Sequence, residues 1–337
     1  MNNTNFSRRD FLGKMLIGAT AIGGVSLMPN SSGVLADRSK LRLSNKRIGI
    51  IGLDTSHSEV FSRMINEGKE DMLGFKVVAA YPHGSKDIAS ALQEKPGIIK
   101  AVQAMGITIV DSIEELLKQV DCVLLESNDG RVHLEQALQV FKAGKPVFID
   151  KPIAQNYAQA KAIFQAAEKY KVPVFSSSAL RYDVNVQKVV QGSIGKVTGA
   201  DVYTPAVMEP SHLDLAWYGI HGVEMLFTVM GCGCKTVSRV HQEGTDLLVG
   251  VWNDGRIGTV RGIRQGASNI AGTAFGEKGI APLGPFSTYE HLVKSIVQFF
   301  ASGVAPVSSK ETLEIFAFMQ AADASRKKGG AAVGLQL

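Results

Sequence analysis

From Lys46 onward the chain alternates short apolar runs with stretches whose apolar residues recur every three or four positions. The runs Arg47–Ile51, Phe75–Ala80, Ile107–Val110, Cys122–Leu125, Val147–Ile149 and Val174–Ser176 are mostly rich in valine and isoleucine and too short for helices. They predict strands buried on both faces. Between them, Glu59–Asn66, Asp87–Glu94, Ser112–Lys118, Arg131–Lys142 and Tyr157–Lys169 carry the helical period. Strand and helix in turn predict a parallel, doubly wound sheet of the Rossmann type. Gly144-Lys145-Pro146 and Lys171-Val172-Pro173 fit this scheme as helix stops that open the next strand.

After Ser178 the rhythm changes. Val197–Tyr203, Thr236–His241, Leu247–Trp252 and Ile257–Ile263 read as strands, and Asn253-Asp254-Gly255 is a hairpin turn between the last two. Helical periodicity returns at Leu215–Met230, Tyr289–Ala301 and Glu311–Lys327. The expected fold is α/β, a Rossmann domain over 46–177 followed by an α+β domain over 178–337 with a mostly antiparallel sheet. A chain of 337 residues that is 45% hydrophobic exceeds what one core usually serves, which agrees with two domains.

The beginning of the chain follows neither pattern. Ser7-Arg8-Arg9-Asp10-Phe11-Leu12 precedes an uncharged stretch from Met15 to Ala36, diluted by glycine, serine and threonine. This predicts a cleavable twin-arginine signal over 1–36, a mature chain from Asp37 without a membrane span, and a periplasmic destination. Loss of Arg8, Arg9, Lys14 and Asp10 with it lowers the formal charge from +5 to +3. That mild balance argues against nucleic acid or a membrane surface as partner. The three cysteines, Cys122, Cys232 and Cys234, provide no framework of bridges, so stability must come from burial.

The turn after the first strand is where a Rossmann domain cradles phosphate against a helix N-terminus. Here it reads Gly52-Leu53-Asp54-Thr55-Ser56-His57. Against G-x-G-x-x-G only Gly52 remains, with Asp54 and His57 at the other two glycine positions. Ser56 and Glu59 have capping-box spacing, and Asp54 or Thr55 can also cap the helix; a carboxylate at 54 repels phosphate unless it turns away. The second strand ends in Tyr81 where NAD domains place an acid for the ribose, and the next acid is Asp87. With His83, Ser85 and Lys86 nearby, the cofactor expected is NAD or NADP.

Three further segments resemble the Gfo/Idh/MocA family, the relatives of glucose-fructose oxidoreductase and inositol dehydrogenase. Glu126-Ser127-Asn128 through His133-Leu134-Glu135 is similar to the family's fourth-strand loop and following helix. Asp150-Lys151-Pro152 resembles its Glu-Lys-Pro motif, and Trp217-Tyr218-Gly219-Ile220-His221-Gly222 its histidine-bearing helix. The resemblance implies that Lys151 sits beside the nicotinamide and hydrogen-bonds the reacting hydroxyl, while His221 shuttles its proton. It also implies cofactor contacts from Gly52, Thr55, Ser56, His57, Tyr81, Ser127, Asn128, His133 and Asp150. Arg181, Trp217 and Tyr218 are the expected substrate contacts.

Trp217 stands where the family commonly has an aspartate one helical turn before the histidine, leaving Asp214 and Glu224 as possible acidic helpers. Glu209, His212, Asp214, His221 and Glu224 are close in sequence but lack a common ligand spacing, and no metal is expected. The function expected is a periplasmic NAD(P)-dependent oxidoreductase acting on a sugar, polyol or glycoside, with its cofactor retained and a homo-oligomer as its assembly. A redox-neutral glycosidase and a non-catalytic carbohydrate binder are the alternatives.

Overall fold

The computed structural model describes residues 46–68 and 70–337, so the signal over 1–36 lies outside the described residues. The first strand, β1 (Arg47–Ile51), leads through a four-residue turn into α1 (Ser56–Glu67), and β2 (Lys76–Tyr81) into α2 (Ala89–Ala104). Then come β3 (Thr108–Ile109), α3 (Ile113–Gln119), β4 (Cys122–Leu125), α4 (His133–Lys142), β5 (Val147–Ile149), α5 (Tyr157–Tyr170) and β6 (Val174–Phe175). These six strands form one parallel sheet in the order β3-β2-β1-β4-β5-β6. The order reverses between β1 and β4, where such sheets open a crevice at their carboxyl edge. Thr55 is the N-cap of α1, its hydroxyl accepting from the His57 amide at 3.5 Å.

The expected strands and helices of this half are all present, three strands with the expected bounds and the other elements with shifted ends, and one helix is longer than expected. Pro96 and Gly97 suggest a stop after Glu94, yet α2 continues to Ala104. Pro96 is exposed, so the carbonyl it leaves unpaired faces water, while Ala91, Ile98 and Val102 are buried and pin the helix to the sheet.

Past a 3-10 turn at Ala179–Tyr182 come α6 (Val184–Val190), β7 (Val197–Pro205), α7 (Ile220–Met230), β8 (Cys234–Gln242), β9 (Thr245–Trp252) and β10 (Ile257–Ile263). The chain closes with β11 (Ala271–Gly276), β12 (Gly279–Leu283), α8 (Glu290–Ser302), α9 (Ser309–Lys327) and β13 (Val333–Gly334). The second sheet runs β12-β11-β7-β10-β9-β8-β13 and is antiparallel except where β10 pairs with β7. β11, β12, β13 and α6 are additions to the sequence reading; Gly272, Gly276, Gly279 and Pro282 dilute the strand pattern of β11 and β12.

The helix α8 corrects the simple division at residue 178. Its Leu292, Val293, Ile296, Val297, Phe299 and Phe300 pack into the core of the first sheet with Ile48, Ile50, Phe61 and Phe148. The reason is geometric: α1 and α2 cover one face only as far as β1, and β4, β5 and β6 need a further apolar helix on that face. The chain thus returns to the first sheet and brings Tyr289, which precedes α8, over the end of β5. All three cysteines are unpaired.

Candidate active site

At the carboxyl edge of the first sheet, Asp54 is fully buried and turned inward. Its carboxylate accepts the Ser85 amide at 2.6 Å and the Asn128 amide at 3.0 Å, joining the loops after β1, β2 and β4. Ser85 Oγ also reaches Asp129, and Arg131 spans Asp129 and Asp87. Burial raises the Asp54 carboxyl above its ordinary value, against the two amide bonds that favour its charge. Gly84 is required beside it, because a Cβ there would lie 2.3 Å from an Asp54 oxygen. Gly52 is required for another reason: at φ +92° its missing Cβ leaves room for the Ser127 backbone, 2.4 Å from where that atom would be.

A cleft of about 400 Å³ is lined by Ser90 and Glu94 of α2, by Thr55, Ser56 and His57 at the start of α1, and by Asn128. Lys151, His221, Trp217, Tyr218 and Tyr289 line it too, with Leu180, Ile270 and Phe286 as apolar wall. Lys151 and His221 are therefore brought together, although they lie on different sheets' elements and 70 positions apart. Trp217 is half-buried and Tyr218 is 45% exposed at the cleft mouth, as a face for stacking on a ring requires. A separate cavity of about 600 Å³, lined by Gln155, His212, Asp214 and Arg326, contains neither Lys151 nor His221.

His221 is nearly buried, and its Nδ1 lies 2.7 Å from Ser178 Oγ. Burial, and then the Lys151 charge, push the imidazole well below its ordinary pKa, so it is neutral at pH 7. Neither acidic helper reaches it. Asp214 accepts from Arg239 and Arg326, and Glu224 accepts from Ser177 Oγ, the Ser178 amide and Arg181 Nε. Arg181 is likewise not a lining residue. Its buried guanidinium is held between Glu224 and Glu311, which braces α7 and α9 rather than touching a ligand.

The nucleotide-end candidates divide in the same way. Thr55, Ser56, His57, Asn128 and Lys151 line the cleft, whereas Gly52, Tyr81, Ser127, His133 and Asp150 do not. Ser127 is buried with Oγ on Gln136 at 2.7 Å, and Tyr81 packs edge-on to His83. His133 is fully buried with its ring nitrogens 3.0 Å and 2.6 Å from the Ile153 and Ser127 carbonyls, so it ties the loops after β4 and β5 together.

His57, Asp150, Glu126 and Tyr289 form a further group of neighbouring side chains. His57 Nδ1 lies 2.7 Å from Asp150 Oδ2, and His57 Nε2 lies 3.2 Å from the Tyr289 hydroxyl. Its ring stacks on Phe61 with centroids 5.0 Å apart. Glu126 is fully buried beside Asp150, and neither of its oxygens has a protein partner among the described residues. Burial, and then the Asp150 charge, push Glu126 well above the usual carboxylate range. Asp150 is buried too, but the His57 ring that bonds to it and the neighbouring Lys151 outweigh that cost and hold it down at about 2. Two signals were available in the sequence: a charged residue ending each of two adjacent apolar strands, and a histidine where a glycine is usual.

Residues fit a dinucleotide along this edge. The start of α1 opens on the cleft, the Asp54 charge is sequestered from it, and Asn128 and Lys151 line it as well. The end of β2 supplies no acid for a ribose, and Ser90 and Glu94 of α2 are further polar groups of the lining.

Residues 46–178 match the sequence profile of the Gfo/Idh/MocA group, described as an oxidoreductase family with an NAD-binding Rossmann fold. The chain is 29% identical over 219 residues to a myo-inositol 2-dehydrogenase of Thermotoga maritima, covering 60% of this chain and 59% of that protein. It is 34% identical over 125 residues to an inositol 2-dehydrogenase of Cereibacter sphaeroides, covering 36% of this chain and 33% of the other. The chain thus spans well under two thirds of either relative's length. Among solved structures, a scyllo-inositol dehydrogenase from Lactobacillus casei with bound NAD(H) and scyllo-inositol superposes with a TM-score of 0.69. That match is 17% identical and covers 86% of this chain and 98% of that one, a likeness of fold.

Proposed function

We propose, from the match of residues 46–178 to the NAD-binding Rossmann fold of the Gfo/Idh/MocA oxidoreductase family, that the protein is an NAD(P)-dependent oxidoreductase interconverting a secondary hydroxyl and a ketone on a polyol or sugar. The observation that carries this reading is the meeting of Lys151 and His221 in one cleft whose mouth presents Trp217 and Tyr218. An inositol-type ring suits such a mouth, with an apolar face for the aromatics and a rim of hydroxyls for the polar groups. The activities of the relatives, a myo-inositol 2-dehydrogenase and an inositol 2-dehydrogenase, support the same substrate class.

When bound, the nicotinamide supplies the hydride acceptor or donor. Lys151 presents its ammonium to the reacting oxygen and stabilises negative charge there in a partly desolvated site. His221, neutral at pH 7, adds a second polar contact to the same oxygen's surroundings. The apolar wall of Leu180, Ile270 and Phe286 excludes water from the reacting carbon.

The reading extends to a periplasmic protein that keeps its cofactor through the reaction cycle, because free nicotinamide is scarce outside the cytoplasm. Its second sheet carries the exposed apolar residues Tyr203, Val240, Ile257 and Ile280, a surface suited to pairing with another copy. The test is turnover: myo-inositol, scyllo-inositol and a panel of sugars are offered with NAD+ and NADP+, and nicotinamide absorbance is followed. Saturable reduction that disappears in Lys151→Ala supports the reading. Cleavage of a glycoside without net change in the cofactor would replace it by the redox-neutral glycosidase.

A further inference from the structure

In this cleft the imidazole that owns a carboxylate partner is not His221. His221 has Ser178 at Nδ1, and Trp217 stands one turn away where an acid would orient it. His57 lines the same cleft and has Asp150 at Nδ1. A base whose far nitrogen is fixed by a carboxylate presents its other nitrogen as an acceptor, and the carboxylate compensates the charge when that nitrogen takes a proton. The Tyr289 hydroxyl lies 3.2 Å from His57 Nε2, and both residues line the cleft. At 3.2 Å that bond is longer than the ~2.8 Å of a strong O–H bond, so a ligand hydroxyl can compete for the same nitrogen.

The unpartnered oxygens belong to the same arrangement. Asp150 Oδ1 and both Glu126 oxygens are buried without a partner among the described residues, and one ligand atom from each of His57, Glu126 and Asp150 lies within 4.8 Å of the others. Two carboxyl groups this close are most stable with one of them protonated. Glu126 is the protonated member, which leaves Asp150 as the anion that faces His57.

We propose that His57, oriented by Asp150 with Glu126 held neutral behind it, is the residue that takes the substrate's hydroxyl proton, and that His221 is a neutral contact. This rests on the oxidoreductase reading of the cleft. In the oxidation direction the substrate O–H bond breaks and an Nε2–H bond forms on His57. The oxygen's electron pair becomes the second bond of the ketone, and the hydride leaves carbon for the nicotinamide. The reverse reaction returns the same proton from His57.

The test has two arms. In the first, the imidazole nitrogens of the cofactor-free protein are observed by NMR. His57 is expected as the Nδ1-protonated tautomer with a far-downfield proton that vanishes in Asp150→Asn, and a metal analysis is expected to find no stoichiometric ion. An Nε2-protonated His57, or one divalent ion per chain lost in Glu126→Gln, would overturn the proposal. In the second arm, His57→Asn is expected to lower kcat about 10²-fold or more, with NADH affinity kept within about threefold and the ionisation limiting the pH profile removed. His221→Asn is expected to cost less and to keep that ionisation. A His57→Asn enzyme within about threefold of the original kcat would assign the proton elsewhere. If no substrate in the panel turns over with either dinucleotide, the oxidoreductase reading fails by itself, and the first arm still decides whether His57 is the oriented base.

Discussion

The two ends of the cleft depart from the family pattern in opposite ways. At the nucleotide end the unusual residue, Asp54, is turned into the protein and spent on two backbone amides, so the departure is absorbed by structure. Three residues on, the other unusual residue, His57, lines the cleft and draws Asp150 with it. Both positions replace glycines of the same motif. What separates them is the surroundings: Asp54 meets free amide donors from Ser85 and Asn128, whereas His57 meets a carboxylate below and a hydroxyl above. A motif position therefore says where a side chain starts, and its neighbours decide whether it builds or reacts.

The largest effect that sharpens this contrast is expected at the reacting end. Lys151→Ala should lower kcat by about 10³-fold while NADH still binds, measured by steady-state rates beside fluorescence titration. Equal loss of binding and rate would make Lys151 a binding residue only.

At the nucleotide end the expected losses are of stability. Gly52→Ala combines a positive φ with an approach to the Ser127 backbone, and should cost about 3 kcal/mol or more in urea unfolding. Asp54→Ala strands two buried amides and should cost about 2–4 kcal/mol. A loss below about 0.5 kcal/mol would mean that the loops after β2 and β4 do not depend on that carboxylate.

The carboxylate pair gives a pH signature with two signs. Glu126 is raised above its ordinary 4.5, so the native chain holds a proton the unfolded chain releases, and this contribution falls as pH rises from about 4.5 to the native value. Asp150 is depressed from 3.8 to about 2, so its contribution is present above about 3.8 and is lost as pH falls toward 2. Glu126→Gln, which cannot ionise, should therefore gain on the original protein in thermal melts as pH rises, with the gap closing toward pH 4. A gap independent of pH would mean that Glu126 is ionised in the fold. The smallest effect belongs to the cap between the two ends: Thr55→Ala should cost about 0.5–1 kcal/mol, seen in the same melts.

Much of this architecture was legible in local pattern. Arg47–Ile51, Cys122–Leu125, Val147–Ile149 and Ile257–Ile263 emerge with the bounds that their apolar runs imply, because each is short, continuous and punctuated by turn residues. Lys151 and His221 were legible as motif residues, and the structure brings them to one cleft. What escaped was everything set by distant partners. Arg181 reads as a cleft residue but is consumed by Glu224 and Glu311, and His133 reads as a cofactor contact but is buried on two carbonyls. The link from His57 to Asp150 spans 93 positions, and that to Tyr289 spans 232, beyond the reach of any local periodicity. The return of α8 to the first sheet, which supplies Tyr289, is likewise invisible in its own amphipathic pattern.

The central claim is that this altered edge still serves a dinucleotide in front of Lys151. The most direct measurement is to denature the purified protein, assay the released small molecules for nicotinamide cofactor by mass spectrometry, and titrate the intact protein with NADH and NADPH. The account predicts cofactor released in stoichiometric amount or, after its removal, saturable binding of one of the two. A protein that releases none and binds neither would contradict it.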